Sequence, residues 1–464
     1  MLTQTRLNIS PSGQLIFYRP NTLPNYPFLD RPIPWPKLCC HNDTSILKAS
    51  ELNARVPLLQ LPDELLQPIL RSVVKKPLEF SLGHDAYWDA YWHLLEEDDV
   101  PNWGPERGWA RYAAAYNLIW TCKRFHALAL PLLYGDVSID ISIHWIDCPP
   151  QAKLFREEIL RRPLLQNYIK HLAIGRQSPN SEMLKIACTL PRLDKLSLDM
   201  VQEEEEPDIS LIKPTKDQEK SASFTKLQFH GLHARPQSIK QFLQWPKELH
   251  ELFITNGDFW DNNEIKAAFR WNHNCLADAL SSQKDHIRVL DIGWLGHDRD
   301  QNAFPVSNFP NLHTMTICIA YKHPNEEACR NWLTPSLQTL ILNLHTSGQC
   351  GPSSHNCMSK ANSHAIAEWA RMARRWVDET RNLGLREICI RAYSSGDDAW
   401  QNEDEVSCMH GSYAEEMKEN LRQCLKYIDE QGFKSFWIGY SGRRYTSETM
   451  EAMCKCEKKH KPRA

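Results

Sequence analysis

The side chains with the most potential for chemistry are fifteen cysteines and nineteen histidines. Zinc sites use such residues in short, regularly spaced pairs. No Cys-x-x-Cys pair occurs, and the two densest groups lack zinc-finger spacing: Cys350, His355, Cys357 and His364, and Cys454, Cys456 and His460. Several cysteines, such as Cys318 and Cys389, stand in apolar strand patterns where a free thiol acts as a small hydrophobe. We therefore predict reduced cysteines and no metal site.

Motifs for the commoner catalytic and phosphate-binding sites are also missing. The sequence has no Gly-x-Gly-x-x-Gly, no phosphate loop, no His-Glu-x-x-His and no Gly-x-Ser-x-Gly. Its eighteen glycines leave few positions where the backbone could wrap closely around a phosphate. We predict a protein that is not an enzyme, with no catalytic residues and no cofactor.

The composition is that of an ordinary globular protein, with 42% hydrophobic and 24% charged residues. A net charge of −3 gives no electrostatic footprint for nucleic acid. No apolar run approaches the ~18 residues of a membrane helix, and the first residues do not resemble a signal peptide. We expect a cytoplasmic or nuclear protein of two or three domains, at roughly 150 residues per domain.

One apolar pattern, with positions 1, 4 and 6 filled, recurs from residue 169 onward. Its nine copies have their fourth positions at Leu172, Leu196, Leu227, Leu252, Leu290, Met315, Leu340, Ile388 and Phe436. Four of the steps between copies are 24 or 25 residues long, and the others are longer. Because side chains alternate along a strand, positions 4 and 6 share one buried face.

Helical patterns separate the strands, over 182–189, 238–245, 265–280, 328–333, 365–380 and 413–430. The whole resembles a degenerate leucine-rich repeat, whose period is ~20–29 residues. That resemblance implies an α/β solenoid with a curved parallel sheet over residues 138–445. The opposite face of its strands would present a protein substrate with Asp291, Ile341, Arg391 and, as an aromatic anchor, Trp437.

A helical motif precedes the repeats. Leu61-Pro-Asp-Glu-Leu-Leu-Gln-Pro-Ile-Leu70 places a proline and two acidic residues at a helix start, followed by apolar residues at helical spacing. Pro68 predicts a kink or a split in this helix. A second helix is predicted over 109–130, ending or restarting at Pro131.

These two segments, with Thr121-Cys-Lys-Arg-Phe125 and Pro131-Leu-Leu-Tyr134, resemble the F-box family of fungal type. The resemblance implies a helical module, here over 57–137 with an insertion at about 75–108, that docks onto the small adaptor subunit of a cullin–RING ubiquitin ligase. Positions implied to contact the adaptor are Leu61, Pro62, Leu65, Ile69, Leu70, Cys122, Phe125 and Leu133.

The resemblance implies a substrate-recognition adaptor of an SCF-type ligase, whose repeats recruit a protein substrate and whose catalysis belongs to other subunits. Proline-rich residues 1–56 would form an extended arm, and residues 446–464 a basic, frayed tail. We expect neither nucleic acid nor a membrane as partner. The insertion and Pro68 keep an alternative open, a leucine-rich-repeat interaction scaffold without a ligase role.

Overall fold

The structure is a computed structural model. It describes residues 8–9, 15–16, 60–73, 123–139, 157, 159–174, 182–199, 214–232, 234–256, 271–293, 295, 304–319, 323–344, 360–380, 382–391, 412–438 and 444–453. The chain divides into two compact units, Met1–Leu66 and Gln67–Ala464. The predicted Pro-rich arm and the insertion at about 75–108 lie almost wholly outside the described residues.

The first unit contains a short antiparallel pair of strands, β1 (Asn8–Ile9) and β2 (Leu15–Ile16). It also contains the start of helix α1 (Asp63–Val73). The amides of Leu65 and Leu66 donate to the carbonyl of Pro62, at 3.1 and 2.9 Å, and close the first turn. The helix includes Pro68 without interruption, so the predicted split does not occur.

The second unit begins with the rest of α1 and continues with helix α2 (Lys123–Tyr134) and strand β3 (Asp136–Ile139). Helix α2 includes Pro131 and ends one turn later, beyond the predicted end at residue 130. Gly135 follows at a close approach, because a Cβ atom there would lie 2.7 Å from the carbonyl oxygen of Pro131. Because β3 begins at Asp136, the last two residues of the segment predicted as the F-box-like module already belong to the sheet.

Eleven strands form one sheet in strict chain order. Strands β3 to β12 pair in parallel, and β13 pairs antiparallel with β12. The further strands are β4 (His171–Ile174), β5 (Lys195–Asp199), β6 (Lys226–Leu232), β7 (Glu251–Asn256), β8 (Val289–Ile292), β9 (Thr314–Cys318), β10 (Thr339–Asn343), β11 (Glu387–Arg391), β12 (Lys434–Ile438) and β13 (Arg444–Tyr445). All nine predicted strands are present, as β4 to β12.

Helices lie between the strands, as parallel pairing requires. They are α3 (Pro163–Gln166), α4 (Glu182–Thr189), α5 (Pro236–Phe242), α6 (His273–Ala279), α7 (Glu326–Trp332), α8 (Lys360–Thr380) and α9 (Ser412–Glu430). The six predicted helices correspond to α4 through α9. Helix α10 (Ser447–Met453) follows β13, and its Met450 is buried, so the predicted tail begins within the folded unit.

A repeated backbone contact joins successive strand–helix units. Just before β8, the amide of Arg288 donates to the carbonyl of His250, and the amide of His313 donates to Arg288, each at 2.8 Å. In the same way, the amide of Gln338 donates to the carbonyl of His313, that of Arg386 to the carbonyl of Gln338 and that of Lys434 to the carbonyl of Arg386, at 2.8, 2.9 and 2.9 Å. Equivalent residues of successive units thus bond to one another, which makes the fold an α/β, repeat-like architecture.

One apolar core runs along the sheet from Ile159 to Met450. Leu290, Leu340 and Ile388, predicted to be almost inaccessible, are 0% exposed. We call this side of the strands the inner face; the helical residues Leu184, Phe242, Trp332 and Trp369 belong to the same core. None of the helices in the described ranges is long and apolar enough to cross a membrane.

Candidate functional site

The side of the sheet opposite the core carries a mixed set of side chains, which we call the outer face. Strand register aligns one row across it: Ser197, Gln228, Phe253, Asp291, Thr316, Ile341, Cys389 and Phe436. At its early end the Ser197 hydroxyl donates to Gln228 Oε1 at 3.0 Å. Polar pairs and apolar groups therefore share this surface, as they do in protein interfaces.

The late end of the outer face is apolar. Ile341, Cys389 and Ile438 form a small buried cluster separate from the main core, with Phe436 packed against it. The guanidinium of Arg444 lies 5.4 Å from the ring centroid of Phe436 and bonds Glu387 at 3.0 Å. A cation over an aromatic face and an ion pair thus border the cluster.

An ion pair crosses the middle of the outer face. Arg391 Nη1 donates to Asp291 Oδ2 at 2.9 Å, although β9 and β10 separate their strands. Neighbouring strands lie about 4.8 Å apart, so the arginine side chain must extend across both intervening strands. Thr316 and Ile341, on the two intervening strands, are 2% and 7% exposed.

The carboxylate of Asp291 is only partly satisfied. Its Oδ1 atom is buried and has no hydrogen-bond partner, in contrast to Oδ2, which accepts from Arg391. A buried acceptor left without a donor costs about 1–3 kcal/mol. Asp291 Oδ1 is thus a buried acceptor that the ion pair leaves unmatched.

The structure brings three of the four predicted substrate-binding residues together. Asp291, Ile341 and Arg391 lie on adjacent parts of the outer face. Trp437 does not: its side chain is 2% exposed in the main core and lies 5.0 Å from the ring of Tyr445. The assignment of Trp437 to a substrate surface was wrong.

A shift of one residue in the last repeat explains the error. Ser435, not Phe436, aligns with Ile388, so Trp437 occupies the inner position and Phe436 the outer one. Ser435 is tolerated inside because its hydroxyl donates to the carbonyl of Leu425 at 2.9 Å. Its amide also donates to Asp429 Oδ1 at 2.9 Å, which fixes the register against helix α9.

Helix α1 provides a second candidate surface. Leu65 and Ile69, one helical turn apart, are 57% and 40% exposed, whereas Leu66 and Leu70 are 0% and 2% exposed. Pro62 is also exposed and Leu61 is half-buried. We call Leu61, Pro62, Leu65 and Ile69 the α1 surface. It contains four of the eight residues implied to contact a ligase adaptor.

The other four implied residues do not extend this surface. Leu70 and Phe125 are buried, so their implied contact with an adaptor is wrong for this conformation. Cys122 lies outside the described residues, and so does the side chain of Leu133. Burial of Leu70 follows from its spacing, because it stands one turn beyond Leu66 on the buried side of α1.

The buried thiols are poor nucleophiles. Burial raises the pKa of Cys329, Cys389 and Cys424 to about 12, so each stays protonated near neutral pH. Among the described residues, no group of three or more His, Cys, Asp and Glu side chains could hold a metal ion.

One structural residue was missed in the sequence. The side chain of Gln283 is buried; it accepts from the amide of Leu249 at 3.0 Å and donates to the carbonyls of Leu243 and Pro246, each at 2.9 Å. It therefore joins two successive units through buried backbone groups. Nothing in its local sequence distinguishes it from a surface glutamine.

Neither models of known protein families nor curated proteins match this sequence.

Proposed function

We propose that this chain is the substrate-recognition adaptor of an SCF-type cullin–RING ubiquitin ligase. In this proposal the α1 surface binds the small adaptor subunit of the ligase, and the outer face recruits a protein substrate. The exposure of Leu65 and Ile69 on one side of α1 carries the proposal. Their neighbours Leu66 and Leu70 are buried, so the helix keeps its own packing and still has apolar side chains for a partner.

The energy available from these side chains supports specific binding. Burying a leucine or isoleucine contributes roughly 1.5–3 kcal/mol, so two of them contribute enough for about a hundredfold change in affinity or more. The Leu-Pro start and the later Pro131-Leu-Leu-Tyr134 segment give the α1 surface its resemblance to F-box proteins. Strands in chain order with a repeat near 25 residues support the leucine-rich-repeat part of the proposal.

The test is direct binding of the purified full chain to the purified small adaptor subunit. The variant Leu65→Ser, Ile69→Ser is expected to lose about a hundredfold in affinity or more, because each change removes an exposed apolar side chain that the complex would bury. Gln67→Ala is the matched control, since Gln67 is an exposed polar residue between them on the same helix. Thermal unfolding of both variants verifies that the repeats stay folded.

Absence of binding by the wild-type chain would overturn the ligase assignment and favour the second candidate. That candidate is a repeat scaffold that binds proteins through the outer face without a ligase role. The burial of Leu70 and Phe125 favours it, because it removes two of the contacts that the family resemblance implies. The outer-face argument is common to both candidates.

A further inference from the structure

Four large apolar side chains are exposed among the described residues: Leu65, Ile69, Leu160 and Leu164. The first two belong to the α1 surface. Leu160 and Leu164 are 58% and 78% exposed and have no part in the proposed function. A single exposed leucine needs no explanation, but two within five residues form the start of an apolar patch.

The backbone around these leucines is fixed from both ends. Five consecutive exposed residues, Leu160 to Leu164, form what we call the ridge. On either side of it, Ile159 and Leu165 are buried in the main core. The side chain of Gln166 donates to the carbonyl of Ile159 at 3.2 Å and closes the segment across its base. The exposed side chains therefore project from a stable support.

The ridge lies in a basic part of the repeats. Residues 157–195 contain seven Lys and Arg against four Asp and Glu, a net charge of +3, while the whole chain carries −3. Arg161 and Arg162 are exposed between the two leucines. Lys170 and Arg192 are exposed in neighbouring turns, joined where the amide of Asp194 donates to the carbonyl of Lys170 at 2.7 Å.

We propose that the ridge is a docking site for an acidic, amphipathic segment of a protein partner. Leu160 and Leu164 would contact the apolar side of that segment, and Arg161 and Arg162 would pair with its carboxylates. Arginine suits this task because its planar guanidinium binds carboxylates in a bidentate way. Two leucines on a five-residue ridge make a poor membrane anchor, which needs a longer apolar helix face.

This proposal is independent of the ligase assignment. The ridge shares no residue with the α1 surface or with the outer face. The leucines and the arginines of the ridge can be tested separately, since apolar contact and charge pairing respond to different substitutions. Salt also separates them, because added salt screens exposed charges and leaves apolar contact largely intact.

The experiment is a peptide-display selection on the immobilised full chain, followed by affinity measurements with the selected peptides. Selected sequences should be rich in Asp and Glu, with apolar residues three or four positions apart. Leu160→Ser, Leu164→Ser should weaken their binding by about tenfold or more. Arg161→Glu, Arg162→Glu should abolish binding of acidic peptides at low salt and select basic ones instead.

Lys284→Glu is the matched control, an exposed charge reversal in a turn of another repeat, and should leave peptide affinity unchanged. Thermal unfolding should be the same for all variants because every substituted side chain is exposed. Peptides without acidic bias, or peptides indifferent to both ridge variants, would overturn the proposal. Binding of phosphatidylserine vesicles through the same leucines, without peptide selection, would overturn it in favour of a membrane. If the ridge variants lose peptide binding and still bind the ligase adaptor, the loss is due to the ridge and not to the α1 surface.

Discussion

The inner and outer faces of the same ten parallel strands differ in composition. The inner face repeats Leu, Ile, Met and Phe, with Trp437 in the last strand, and its side chains are almost wholly buried. The outer face mixes Ser197, Gln228, Asp291 and Arg391 with an apolar cluster. Side chains alternate along each strand and so keep these two sets apart, and the same strand both builds the core and presents the outer face.

The difference shows which face folding depends on. Each methylene buried on the inner face contributes roughly 0.8 kcal/mol, and the rows are continuous along the molecule. An ion pair such as Asp291–Arg391 stabilises the fold by much less than these rows of buried side chains together, because removing two charges from water offsets most of their attraction. The outer face is thus free to carry groups that suit a partner.

The largest expected effect separates two neighbours in strand β12. Trp437→Ala should destabilise the protein by about 3–5 kcal/mol, because a large side chain leaves the main core. Phe436→Ala should cost about 1–2 kcal/mol, since Phe436 is only half-buried on the outer face, where it packs against the small cluster and Arg444. Urea unfolding of both variants measures the two free energies. Equal losses would mean that the register of β12 differs from the one described.

A double-mutant cycle on Asp291 and Arg391 tests whether the ion pair holds the outer face together. Each single change to Ala should cost about 1–2 kcal/mol, and the coupling should be roughly 0.5–3 kcal/mol because the pair is mostly buried. Lys240 and Asp278, paired at 2.8 Å on exposed helices, form the control cycle. Their coupling should lie between about 0 and 1 kcal/mol. Additive effects at Asp291 and Arg391 would remove the role we assign to the pair.

The smallest effect concerns the thiol of Cys389 on the outer face. Burial raises its pKa to about 12, so the folded chain keeps the thiol protonated at pH values where the unfolded chain ionises it. Its contribution to stability is complete below about pH 8.5 and falls by about 1.4 kcal/mol per pH unit above it. Unfolding free energies measured at rising pH should therefore fall less steeply for Cys389→Ala than for the wild type.

Parallel profiles for Cys389→Ala and the wild type would show that the outer-face cluster opens to solvent in the folded protein.

Most of the repeat architecture could be predicted from the sequence, because its signals are local. An apolar residue at positions 1, 4 and 6 marks a buried strand wherever it occurs, and nine copies predicted β4 to β12. Helix α4 has the predicted bounds, Glu182–Thr189. Helices α5 and α7 begin two residues earlier than predicted, since Pro236 and Asn325 provide their starts.

The candidate sites were predictable only in part. The spacing of Leu65, Leu66, Ile69, Leu70 and Val73 predicted one apolar stripe on α1, but not that Leu66 and Leu70 would be buried while Leu65 and Ile69 stay exposed. Which apolar side chains stay exposed depends on what packs beside them, and a periodic pattern holds no information about that neighbour. The same holds for Leu160 and Leu164, which belong to no motif in the sequence.

By itself the sequence determined the alternation of strand and helix, their order and, in every predicted strand except β12, the two faces, because these follow from residue spacing. Only the tertiary structure decided the rest. It aligned Ser435 with Ile388, which turned Trp437 into the core, and it joined Asp291 to Arg391 across two strands. A contact between residues 100 positions apart depends on how every intervening repeat packs on the next, and the local sequence around either residue does not determine that packing.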